Sequence, residues 1–144
     1  MATRWFTVEE ANRLVPKLRL MLEKLRDMQT QARARYEEMR DIREVGYRKD
    51  GNLIMLTDYQ LAKREFDEVV GEANQLLGEI NQVGCRVTDV EMGLVDFPTK
   101  IDGQEVYLCW QMDEREVSFF HGLDEGYTGR RPLSQSSDPS SPPS

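Results

Sequence analysis

Apolar side chains return at helical spacing through the first third of the chain. Leu14, Leu18, Met21, Leu25, Met28, Ala32, Tyr36 and Met39 step by fours and threes with one slip, the spacing of a helix that packs along a coiled-coil seam. Ahead of them Thr7 and Glu10 form a capping box, in which the hydroxyl accepts from an early helix amide and the carboxylate reaches back to the Thr7 amide. Pro16 lacks the amide that would bond the Asn12 carbonyl, so a kink is expected between them. The helix is predicted to fade near Gly46, and Lys49-Asp50-Gly51-Asn52 carries the residues that reverse a chain. Leu53 to Leu56 should close the hairpin end by apolar contact. Thr57 with Gln60 offers a second capping box. Tyr59, Ala62, Phe66, Val69, Ala73, Leu76, Ile80 and Val83 then alternate steps of three and four, and Gly84 stands where a left-handed cap would end the helix. At 1.5 Å per residue the two helices are roughly 57 and 40 Å long, an antiparallel hairpin with an overhanging first arm.

Beyond Gly84 the period changes from helical to alternating. Residues 86–90 are a short strand candidate, followed by a turn at 91–93. Asp102-Gly103, set between two alternating segments, predicts a two-residue type I′ hairpin. That turn pairs Ile101 with Gln104, Phe97 with Leu108 and Asp96 with Cys109. Val95, Phe97, Thr99 and Ile101 then share an apolar face with Val106, Leu108, Trp110 and Met112, expected to lie on the helices. Leu94, Asp96 and Pro98 fall on the opposite, outward face with Tyr107, Cys109 and Gln111. A third strand is expected over 116–121 after a turn at 113–115. With a three-residue loop His121 stands opposite Tyr107 and joins Asp96 and Cys109; with two or four residues it turns to the apolar face. The pattern leaves both registers open. Residues 122–133 read as an irregular cover using Leu123, Tyr127 and Leu133, and 134–144, without one apolar side chain, as a disordered tail.

The elements make an α+β fold: a long antiparallel helical hairpin at 7–84, then a small three- to four-stranded antiparallel sheet at 85–121. A chain of 144 residues with 39% apolar content has material for one modest core, so a single domain is expected over 1–133. The net charge of -7 argues against a nucleic-acid binder or an anionic-membrane binder, which use basic footprints. Charge is unevenly divided, with residues 1–49 carrying twelve Lys/Arg against eight Asp/Glu, a net +4, and the remainder carrying -11. A basic first helix facing acidic later segments reads as intramolecular complementarity or subunit pairing, and the overhanging arm points to a homo-oligomer formed through the hairpin. No signal-type apolar run opens the chain and no stretch of eighteen apolar residues occurs, so a cytoplasmic protein without a membrane span is expected. Cys85 and Cys109 have no CxxC spacing, which removes a disulfide framework and a four-cysteine zinc site and leaves reduced, core-filling thiols.

Phe6-Thr-x-x-Glu-Ala-Asn12 with Leu14 and Pro16, Gly93-Leu-Val-Asp-Phe-Pro98, Leu108-Cys-Trp110 and His121-x-x-Asp-x-Gly-Tyr-x-Gly-Arg-x-Pro-Leu133 form a specific set. Together they resemble the uncharacterised prokaryotic family known as domain of unknown function 2203, over roughly residues 5 to 133. The resemblance implies a metal-binding connection and no reaction. Its polar motif positions are Asp96, Cys109, His121 and Asp124. Imidazole, thiolate and carboxylate are the donors a borderline divalent metal ion takes, at about 2.0–2.3 Å. Directly opposed strand residues such as Asp96 and Cys109 have Cβ atoms about 5 Å apart, near enough to share an ion. His121 supplies a third donor in the favourable register, and Asp124 a fourth.

Other roles compete at each position: Cys109 as a buried thiol, Asp96 as a turn cap or a partner of Arg130 or Arg131, and His121 as a structural hydrogen-bonding residue. Cys109 and His121 as nucleophile and base would need an oxyanion hole that no motif supplies, so no reaction type is assigned. The function expected is metal binding at a Cys/His/Asp site on the sheet. The alternative is a non-catalytic helical-hairpin module for self-association or partner docking.

Overall fold

A computed structural model describes residues 4–135. Helices α1 (Val8–Val45) and α2 (Leu56–Val83) precede five strands, β1 (Arg86–Asp89), β2 (Leu94–Ile101), β3 (Gln104–Gln111), β4 (Phe119–Gly122) and β5 (Arg131–Pro132). The strands form one antiparallel sheet in chain order, so the fold is α+β with one strand more than expected. The extra strand is two residues long, pairing Pro132 with Phe119 and Arg131 with Phe120, and is too short to leave a period in the sequence. Leu133–Gln135 make a single 3-10 turn, and the rest of the expected tail, 136–144, lies outside the described residues. The chain divides into two compact units: residues up to Glu23 together with those from Leu77 onward, and Lys24–Leu76.

In the first unit α1 opens with the capping box, Thr7 N donating to Glu10 Oε1 at 3.0 Å and Glu10 N to Thr7 Oγ1 at 3.1 Å. The helix runs unbroken through Pro16. Its fully buried positions are Ala11, Val15, Leu18 and Leu22; Leu18 lies on the seam read from the sequence, whereas Val15 and Leu22 replace its Leu14 and Met21, one place away. They share the core with Val95, Phe97, Leu108 and Trp110, each at most 1% exposed. Burying each large apolar side chain contributes roughly 1.5–3 kcal/mol.

The segment before α1 joins the edge of the sheet. Phe6 N donates to the Pro98 carbonyl at 2.8 Å, Thr99 Oγ1 donates to the Phe6 carbonyl at 2.6 Å, and the Phe6 ring meets Phe97 edge-on at 5.3 Å. Gly84 ends α2 at φ +109, as its position predicted, and the Val83 carbonyl accepts from Arg4 Nη1 at 2.9 Å. The Asp102-Gly103 turn has both residues at positive φ, 53° and 77°, and produces the expected register of β2 with β3 throughout.

Strand β4 begins at Phe119, three residues later than expected. The backbone before it bonds to α1 instead of extending the ladder: Val117 N donates to Asn12 Oδ1 at 2.7 Å, and Arg19 donates to the Met112 and Glu114 carbonyls at 3.3 and 2.9 Å. Trp110 Nε1 reaches the same Glu114 carbonyl at 3.0 Å. Polar side chains of α1 thereby meet the loop's hydrogen-bonding demand, which every buried backbone group makes.

In the second unit, residues 24–45 of α1 and 56–76 of α2 form an antiparallel hairpin with Leu25, Met39, Ile42, Leu53, Ala62 and Val69 buried. The reversal places Gly46 and Gly51 at positive φ and pairs Tyr47 with Leu53. Ile54, expected to help close this end, is instead 53% exposed. Helix α2 starts two residues early, because Tyr59 N donates to the Met55 carbonyl; Thr57 sits inside the first turn and is not the cap. Among the described residues no helix is long and apolar enough to cross a membrane.

A candidate metal centre on the second face of the sheet

Antiparallel pairing sets opposed residues on one face and alternation keeps every second residue there. Asp96 lies between Arg86 of β1 and Cys109 of β3, Cys109 opposes Phe119, and Tyr107 opposes His121. Arg86, Asp96, Tyr107, Cys109, Phe119 and His121 therefore share a face. Of the two registers the sequence left open, this is the one that joins the imidazole to Asp96 and Cys109.

That face does not point outward. Asp96 is 3% exposed, Cys109 1% and His121 3%, so both faces of the central strands are covered. Of the side chains expected to form the cover over 122–133, Leu123 and Tyr127 are 50% and 40% exposed and Leu133 is half-buried. Arg130, in the same segment, covers this face together with Tyr127. Its guanidinium lies 4.1 Å from the Phe119 ring centre and 4.8 Å from that of Tyr127, and Nη2 donates to both Glu114 carboxylate oxygens at 2.7 Å. It also reaches the Cys109 carbonyl at 3.4 Å. At the other end Arg86 lies 4.6 Å from the Tyr107 ring, which stands 5.6 Å from the His121 ring.

One ligand atom each from Asp96, Cys109 and His121 falls within a group spanning at most 4.8 Å. His121 Nε2 is 3.1 Å from Asp96 Oδ1, and Nδ1 is 2.8 Å from the Gly122 carbonyl. Arg86 Nη2 stands 3.6 Å from Asp96 Oδ2. Burial, reinforced by the nearby Asp96 carboxylate, pushes the Cys109 thiol up to about 12 against the pull of Arg130. Cys109 is accordingly a neutral thiol here, and a poor nucleophile as it stands.

Asp124, the fourth expected donor, is exposed in the loop after β4 and is not part of this group. Asp96 pairs with neither Arg130 nor Arg131, whose partners are Glu114 and Glu125. Its guanidinium partner, Arg86, was missed because a register shift between Val87 and Asp89 fixes the pairing of β1 with β2. Periodicity does not encode such a shift.

Donors bound to one ion at 2.0–2.3 Å in tetrahedral array lie roughly 3.3–3.8 Å apart. The imidazole and carboxylate already approach that spacing, and the thiol is within about an ångström of it. Fold and site together define a small α+β protein with a buried Asp/Cys/His group that could hold a metal ion. The chain belongs to the family described as "Uncharacterized conserved protein (DUF2203)", whose model matches residues 4–133. No curated protein and no solved structure matches it.

Proposed function

We propose that this protein binds a divalent metal ion of the zinc type through Asp96, Cys109 and His121. One observation carries the reading. The Gly122 carbonyl can only accept, so the ring nitrogen facing it, Nδ1, is the one that holds the proton of a neutral imidazole. Nε2 then presents its lone pair to Asp96 Oδ1 at 3.1 Å, acceptor against acceptor, and a cation between or beside them removes the conflict. A carbonyl that orients a ligating histidine from its far nitrogen is the usual outer partner of a metal site.

The donor set suits a borderline ion, and three protein ligands leave a fourth position for water or another ligand, where the ion would supply Lewis acidity. Binding would displace the proton of Cys109. A second reading has support from Arg86: a further proton on His121 would make a buried Asp96–His121 ion pair, with Arg86 at 3.6 Å sharing the carboxylate's charge. This network would then be structural.

Metal content separates the two. Untagged protein from zinc-supplemented growth should carry one ion per chain by elemental analysis, should lose it in His121→Ala and Cys109→Ser, and should keep it in Asp124→Asn. Metal-free protein that also fails to take up zinc or cobalt on titration overturns the proposal in favour of the ion pair.

A further inference from the structure

The Lys24–Leu76 unit carries opposite charges on its two sides. Arg33, Tyr36, Arg40 and Arg43 follow at steps of three and four and so share one face of α1, with Arg26 seven residues before Arg33. This face turns toward one side of α2, because the Tyr36 ring lies 6.2 Å from Phe66 and the Arg43 guanidinium 5.8 Å from the Tyr59 ring. Lys63, between Tyr59 and Phe66 in the helical order, lies on the same side and is neutralised by Asp67 at 2.8 Å. Positions 26, 29, 33, 36, 40 and 43 include no acid, and Glu37 and Glu44, four residues after Arg33 and Arg40, border them. The contact of Arg40 with Asp41, at 3.5 Å and with both side chains more than half exposed, is a weak one. Tyr36 itself is 53% exposed.

The opposite side is acidic and concave. A groove of about 420 Å³ between the helices is walled by Glu65, Glu68 and Glu72 over Ala34 and Val69. A second, of about 590 Å³, shares Ala34 and Arg35 with it and adds Glu38, Asp41 and Asp58. The one arginine lining either groove, Arg35, is already engaged by Glu65 at 3.0 Å and Glu38 at 3.5 Å.

The two ladders have the same period. Arg26, Arg33 and Arg40 recur every seven residues, as do Asp58, Glu65 and Glu72, so both repeat at about 10.5 Å along their helices. We propose that a second copy of this chain lays the arginine face of its α1 into the acidic groove of the first. Sign, spacing and shape are all supplied by one chain. The net charge of -7 disfavours a polyanion on the arginine face. Because the contact joins two different faces, each dimer keeps one arginine face and one groove unused, and assembly continues to a ring or an open chain.

Sedimentation velocity of the full chain tests this. At about 50 mM salt the wild type should sediment as species larger than a monomer, with association weakened at least tenfold at about 500 mM, where screening shortens to a few ångströms. Arg33→Gln/Arg40→Gln and Glu65→Gln/Glu72→Gln, each checked for helix content by circular dichroism, should each lose self-association at least tenfold. An equimolar mixture of the two should form a heterodimer near wild-type affinity and stop at two, since only one intact face and one intact groove remain. A wild type that stays monomeric at low salt, variants that associate as strongly as the wild type, or a mixture that stays monomeric would each overturn the proposal. So would binding of the arginine face to a polyanion without self-association.

Discussion

Arg19, with Asn12, is how α1 holds the loop that delivers β4, and with it His121, to the sheet. Its side chain donates to the Met112 carbonyl at 3.3 Å and the Glu114 carbonyl at 2.9 Å, and its guanidinium lies 5.5 Å from the Trp110 ring. Arg19→Met keeps the apolar stem and removes both bonds. A hydrogen bond from a charged donor contributes about 1.5–3 kcal/mol, the longer and half-exposed one less, so a loss of about 2–3 kcal/mol is expected. For a domain of this size that lowers the melting temperature by roughly 6–15 °C. Urea denaturation followed by far-ultraviolet circular dichroism should show the midpoint fall with an unchanged m value. Tryptophan emission should shift in the native baseline, because Trp110 shares the Glu114 carbonyl. A loss under about 0.5 kcal/mol, the range of an ordinary surface substitution, would show that the loop is held by other means.

The end of α2 offers two further tests. Gly84→Ala places a Cβ 3.1 Å from Arg4 Cβ at a φ of +109, and thermal unfolding should show a loss of about 1–2 kcal/mol. Burial pushes the Cys85 thiol up to about 11, whereas in the unfolded chain it releases its proton near pH 8.5. The folded state thus binds the extra proton above about pH 8.5, so this contribution is complete below that pH and fades as pH rises toward 11. The decline in stability over that window, by urea titration, should be shallower in Cys85→Ala; an equal slope would contradict the assignment.

The scaffold was legible wherever a local rule had no competitor. Thr7 with Glu10, Gly84, and Asp102-Gly103 each behaved as isolated chemistry predicts, and the last fixed the Asp96 to Cys109 pairing. The seam of α1 was legible at Leu18, Leu25 and Met39 and misplaced by one residue at Leu14 and Met21, because two neighbouring stripes are both apolar there and packing in the unit's core chooses Val15 and Leu22. The site was half legible. Strand alternation joined Asp96 to Cys109, whereas the place of His121 depended on a loop whose backbone is satisfied by Asn12 and Arg19, about a hundred residues earlier. That Arg130 is the residue covering the site was illegible for the same kind of reason. Arg130, a charged residue in an irregular segment, covers it because Phe119, Tyr127 and Glu114 give its guanidinium two rings and a carboxylate. No pattern along the chain announces such a sandwich.

The most direct measurement of whether Asp96, Cys109 and His121 share an ion is X-ray absorption at the metal edge on untagged, zinc-loaded protein. One sulfur near 2.3 Å and nitrogen or oxygen neighbours near 2.0 Å, with the sulfur shell lost in Cys109→Ser, is the expected result. A bound ion with no sulfur neighbour, or a spectrum unchanged by the Cys109 and His121 substitutions, would contradict it.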